Sequence, residues 1–191
     1  ITNTDFTNVT GSYTTWTSAT LWRPDFTGAD LTGANFTSAT LTTATATGTN
    51  LSSTNLKSTT LTGLSAVGAT LDGASLIQTS LTGAAMNRAS MVGVTGRHSD
   101  LSDTILSSAD LTEANLVRSN FNNANAYGAT LTGATISDSN FIRTKFHNAD
   151  LTGAVLAGSN MANVSLRAAD LTGADVSYTD MTAADLWYSN F

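Results

Sequence analysis

Only two histidines occur in the 191 residues, and one of them keeps catalytic company: His98 is followed by Ser99, Asp100 and Asp103. Ser, His and Asp are the residue types of nucleophilic acyl transfer, in which a carboxylate orients the imidazole that deprotonates a hydroxyl. That chemistry needs the three side chains to converge in a cleft, whereas neighbours in an extended chain point to opposite faces. A surface histidine on a turn is the plainer expectation. His147 lies far away in the chain and there is no cysteine, so disulfides, thiolate sites and converging His ligands lack material. The glycines are dispersed singly rather than clustered before a helix, which argues against a phosphate loop. The chain is therefore read as non-enzymatic, with no catalytic residue, cofactor, metal or small-molecule substrate.

Charge narrows the partners. The formal net charge is −6, and ten of the fourteen acids share one phase of the sequence, among them Asp30, Asp110, Asp150, Asp170, Asp175, Asp180 and Asp185. That sign opposes nucleic-acid binding. No apolar run reaches membrane-spanning length, so no membrane partner is expected. The surface-type residues are mostly Thr, Ser and Asn, with two Lys, which leans towards an extracytoplasmic setting. No signal peptide is visible, and a start at Ile1 is compatible with a leader or other upstream sequence having been removed. The triplets at Asn8, Asn35, Asn50 and Asn163 match the glycosylation sequon, but the repeat described next produces them by chance.

The element that positions all these residues is a period of five. Phe6, Trp16, Leu21, Phe26, Leu31, Phe36 and Leu41 open a register that holds to Leu186 and Phe191 and contains every Phe and every Met. Only Gly11, Ala46, Ala66, Gly96 and Ala126 put a small residue at this central position. A period of five is neither the two of a strand nor the 3.6 of a helix, so it implies a repeat architecture. Two residues before the centre stands a small residue such as Ala29 or Ala109; between them stands Asp, Asn, Thr or Ser. Small and large residues then point inward and their polar neighbours outward. The fifth residue resets the alternation and must turn the chain. Thirteen of the fifteen glycines occupy that slot, where a positive φ is cheap for Gly.

Near copies such as Ala129-Thr130-Leu131-Thr132-Gly133 and Ala149-Asp150-Leu151-Thr152-Gly153 recur at multiples of twenty residues. Twenty residues are four units, so the chain winds into four-sided coils. At roughly 4.8 Å per coil, the chain makes about nine and a half coils and a rod on the order of 45 Å long. The pattern A(D/N)LXX, standing as Ala29-Asp30-Leu31-Thr32-Gly33 and Ala109-Asp110-Leu111-Thr112-Glu113, resembles the pentapeptide-repeat proteins along the whole chain. The resemblance implies an all-β, right-handed quadrilateral β-helix spanning residues 1–191 as one domain. It also implies a binding rather than catalytic role: the best understood members imitate DNA and bind type II topoisomerases, and others are regulatory partners. Against the DNA-mimic alternative, a 45 Å stretch of B-DNA carries roughly 26 negative charges, compared with six here.

Three places depart from the plain repeat. Gly96, Arg97 and His98 replace a large centre and the usual Thr-Gly pair. They read either as a recognition bulge or as an underpacked coil filled by neighbours such as Met91. Thr40-Leu41-Thr42 and Thr60-Leu61-Thr62 form a Thr-x-Thr array of the kind some ice-binding solenoids display, an alternative to the plain suitability of Thr for exposed β positions. Aromatic residues gather at the two ends: Tyr13, Trp16 and Trp22 at one, Trp187, Tyr188 and Phe191 at the other. Solenoid ends expose unpaired edges. These six residues are the candidate interface, with end-to-end self-association the expected partnership and a self-made plug the competing reading.

Overall fold

The computed structural model describes residues 1–191. Parallel bridges join each residue that precedes a centre to its counterpart twenty positions on, from Asp5↔Asp25 to Asp170↔Asn190. The register expected from the sequence is the one seen: Asp110 pairs with Thr130, and Asp150 with Asp170. No extended strand forms. Each side contributes one bridging residue before the chain turns again, because the five-residue repeat leaves no room for more. Hydrogen bonds run on both flanks of the bridge, for example Leu31 N–H to Asn50 O at 2.8 Å and Asn50 N–H to Ala29 O at 2.9 Å.

The corners are hydrogen-bonded turns. Ala29 N–H returns to Phe26 O at 2.9 Å, with Gly28 at φ +66° between them. The corner conformation is not reserved for glycine. All corner positions have positive φ, thirteen glycines and twenty-five other residues including Arg88, Glu113 and Tyr188. The strain that an L residue bears there is overridden by the ladder on both flanks. At most positions where Asp or Asn precedes the centre, its side chain steadies the turn; Asn140 is an exception, its Oδ1 buried without a partner. Asp110 Oδ1 accepts from Thr112 N–H at 2.9 Å and from Thr112 Oγ1 at 2.5 Å, the Asx geometry that makes these residues favoured in turns.

From Leu21 to Leu171 the large centre and the small residue of every repeat are buried. The core is thus four columns of large side chains alternating with small ones. Where Thr replaces the small Ala, its hydroxyl is spent internally: Thr49 donates to Phe26 O at 2.6 Å and Thr144 to Phe121 O at 2.7 Å. Four serines extend this into a ladder. The N–H groups of Ser99, Ser119 and Ser139 donate to the Oγ of Ser119, Ser139 and Ser159 at 3.2, 3.0 and 3.1 Å. These three corners lack the usual turn hydrogen bond, and the serine hydroxyls replace it. Ser139→Ala should therefore lower stability by about 1–3 kcal/mol, because it leaves a buried donor unpaired; a thermal midpoint unchanged from wild type would show that the turn re-forms instead.

Candidate functional site

His98 sits on an exposed corner at φ +59°. Ser99 is buried, and its hydroxyl faces inward to donate to Leu76 O at 2.5 Å. Asp100 Oδ1 accepts from Ser102 and Asn120, and Asp103 accepts from Asn123 at 3.0 Å. The four residues are neighbours in sequence without a common cleft. Nowhere do three or more His, Asp or Glu side chains converge as a metal site would require. The irregular coil keeps the five-residue register. Gly96 leaves no void: a Cβ there would lie 2.7 Å from Ser99 Oγ, 2.9 Å from Leu116 Cδ2 and 3.1 Å from Leu76 Cβ. Arg97 and His98 are both exposed beside it.

The six terminal aromatics do not form two clusters. Trp16 faces inward, with its ring 5.2 Å from Phe6 edge-on and 5.7 Å from Phe36 in a stack, and its Nε1 donates to Thr14 Oγ1. It closes the first coil as a plug. Tyr13 is an exposed corner residue whose ring lies where a side chain on Gly33 would be, 2.6 Å from the Cβ position. Trp22 faces outward and is half exposed. At the other end Trp187 is an outward residue of the side wall, edge-on to Tyr188 with centroids 5.5 Å apart. Phe191 and Leu186 are the core-register residues left open there, 56 % and 39 % exposed.

Two outward arrays complete the surface. Thr40, Thr42, Thr60 and Thr62 lie half-buried in adjacent coils of one side. The array gives way where Thr82 donates to Asp100 at 3.1 Å. The other array is the side that bears Asp110, Asp150 and Asp170, with Thr130 between the first two. Hydrogen bonds from the side chain and backbone of Thr152 hold Asp150 below the ordinary 3.8 of an aspartate, and Thr172 does the same for Asp170. At Asp100 burial pushes upward but is outweighed by Ser102, Thr82 and Asn120. Carboxyls lowered in the folded state stabilise it above their unfolded value and lose that contribution as pH falls through the folded one. The thermal midpoint should hold near neutrality and decline below about pH 4; a midpoint that rises on acidification would contradict these hydrogen bonds.

One column was not singled out in the sequence, although its spacing of twenty was there to read. Tyr127, His147, Arg167 and Trp187 stand outward in successive coils. Tyr127 and His147 meet edge to face at 6.5 Å. His147 Nε2 contacts Ser165 Oγ at 2.5 Å. Arg167 pairs with Asp185, and its Cζ lies 5.9 Å from the Trp187 ring centroid. That pair holds the Asp185 carboxyl below its ordinary range.

The family model described as pentapeptide repeats matches in eight copies, over residues 25–63, 65–95, 97–125, 119–156 and 149–187. No curated protein matches the sequence. Among solved structures, HetL from the cyanobacterium Nostoc, a pentapeptide repeat protein involved in heterocyst differentiation regulation, is similar at 25 % identity and a TM-score of 0.72, covering 97 % of this chain and 88 % of its own. A trypsin-treated variant of QnrB1, a plasmid-mediated fluoroquinolone resistance protein, is similar at 18 % identity and a TM-score of 0.58, covering 96 % and 89 %.

Proposed function

Because the chain belongs to the pentapeptide-repeat family, we propose that it is a non-enzymatic interaction rod that associates through its ends. The rod is one continuous right-handed, four-sided solenoid of about nine and a half coils. Likeness to a protein involved in differentiation regulation is in keeping with a binding role. A DNA mimic directed at a topoisomerase is disfavoured by a net charge of only −6.

The observation that carries the reading is the pattern of backbone groups on the first and last coils. Inside the rod each coil donates more N–H groups forward than backward. Of the groups that pair between coils inside the rod, the coil 172–191 accordingly leaves eight N–H groups without a partner, from Gly173 to Phe191, and four carbonyls, those of Ala174, Thr179, Ala184 and Ser189. The first coil is the converse: of the same inter-coil groups, seven carbonyls from Thr2 to Thr17 are free, and four N–H groups, those of Asp5, Thr10, Thr15 and Thr20. The two ends complement each other, whereas two copies of either end do not. Stacking therefore runs head to tail, the geometry that propagates instead of closing, and it covers Leu186 and Phe191.

Sedimentation velocity over a concentration series tests this. Wild type should lengthen with concentration, while Phe6→Asp and Phe191→Asp should each be monomeric alone and pair when mixed, because one keeps a free tail and the other a free head. Circular dichroism identifies any variant that has unfolded. A Phe6→Asp variant that dimerises by itself would point to tail-to-tail pairing. A native protein monomeric at several hundred micromolar would end the stacking proposal and leave the aromatics as plugs.

A further inference from the structure

Away from the first and last coils and Trp22, only three large apolar side chains are exposed: Val67 at 36 %, Ile105 at 40 % and Tyr127 at 50 %. All three stand on one side of the rod, the side that carries Lys145-Phe146-His147. The same side carries Trp187, 65 % exposed, and the Tyr127, His147, Arg167 column. Its charge runs against that of the molecule. From Ser65 to Tyr188 this side and its two corners hold four of the eight Lys and Arg (Arg88, Arg143, Lys145 and Arg167) and two of the fourteen acids (Asp103 and Asp185). The other three sides and the rod's first coils hold the remaining acids.

We propose that this side is a docking face for an acidic polypeptide segment that also carries apolar or aromatic side chains. The proposal takes the chain to be an interaction rod, but it places recognition on the side wall, separate from the ends. Lys145 and Arg143 are exposed and without an acid partner, so they are available to carboxylates. Arg167 is held by Asp185 and lies over Trp187, offering the indole as an oriented apolar anchor; a guanidinium over an indole face is attracted to it. Tyr127, edge-on to His147, supplies a second anchor three coils away. Anchors of Trp, Tyr and Arg are the residue types that dominate protein interfaces. Val67 and Ile105 offer nothing to a bare polyanion. Three uncommitted cations, Arg88, Arg143 and Lys145, are too few for the phosphate neutralisation on which nucleic-acid affinity rests. A second copy is a poorer fit, because the side bearing Asp110, Asp150 and Asp170 exposes no large apolar side chain beyond the terminal coils.

Titration of a random Glu/Tyr copolymer, followed by fluorescence anisotropy, tests the face against an overall negative charge that should repel such a probe. Wild type should bind. Tyr127→Ser and Lys145→Glu should each weaken binding by about tenfold, and Lys57→Glu, the same charge change on another side, should leave it unchanged. The proposal fails if the copolymer does not bind, or if Lys57→Glu weakens it as much as Lys145→Glu. It fails equally if poly-Glu without Tyr, a thymidine oligonucleotide or phosphatidylserine vesicles bind as well as the copolymer. Concentration-dependent mass lost in Lys145→Glu but kept in Phe191→Asp would assign the face to a second copy and overturn the acidic-segment assignment. The copolymer readouts do not depend on the ends, so failure of end stacking leaves them interpretable.

Discussion

Leu111→Asp is expected to lower stability by more than about 4 kcal/mol, while Asp110→Asn one residue earlier should change it by less than about 0.5 kcal/mol. Leu111 is 1 % exposed in the column between Met91 and Leu131. Replacing it removes a large apolar side chain from both flanking coils and puts a carboxylate where no donor can reach it. Asp110 is an outward residue whose Oδ1 accepts from Thr112 N–H and Oγ1; Asn retains that acceptor, and Asn35 and Asn50 already play the part in other coils. A solenoid is stabilised coil against coil, so a failure in the middle leaves two shorter stacks with fresh edges. Thermal unfolding followed by circular dichroism separates the two variants, and equal shifts would mean that the inward and outward assignments are mistaken.

The coil register was readable because it is a counting property. A large residue every five and near-identical segments every twenty specify which residues stack, as Asp150 on Asp170 shows. Corner geometry was half legible. Gly28 and Gly33 announce a positive φ, but Arg88 and Tyr188 carry no such mark and adopt it because the ladder on either side dictates it. The serine ladder was hidden for a different reason: Ser119, Ser139 and Ser159 look like tolerated stand-ins for Ala until their hydroxyls are seen to accept backbone N–H groups of the preceding coil, the first of them from Ser99. The terminal aromatics misled by proximity in sequence. Trp16 and Trp22 are six residues apart, yet one belongs to a core position and the other to an outward one. Position within the five-residue unit, rather than distance along the chain, decides what a side chain meets.

The same rule limits any attempt to improve the rod by making its centres uniform. Ala46 and Gly96 both interrupt the line of large centres, and both invite replacement by Val. The expected outcomes have opposite signs. Ala46 lies between Phe26 and Ala66 in its column and lines an apolar cavity of ≈ 20 Å³ with Phe26, Leu41, Leu51 and Leu56. Ala46→Val should stabilise by about 1 kcal/mol, since the added carbons enter existing space at about 0.8 kcal/mol per buried CH₂. Gly96 has an ordinary φ, so backbone strain is not at issue; space is. Its Cβ position is already claimed by Ser99 Oγ, Leu116 Cδ2 and Leu76 Cβ. Gly96→Val should cost about 3 kcal/mol through overpacking and displacement of the Ser99 hydroxyl from Leu76 O. Thermal midpoints of the two variants are the measurement. If both rise, the Gly96 coil has slack that its packing does not show; if both fall, the Ala46 cavity cannot accept a branched side chain. A rise for Ala46→Val with a fall for Gly96→Val would establish that the exceptions to this repeat are set one coil at a time by what stacks above and below.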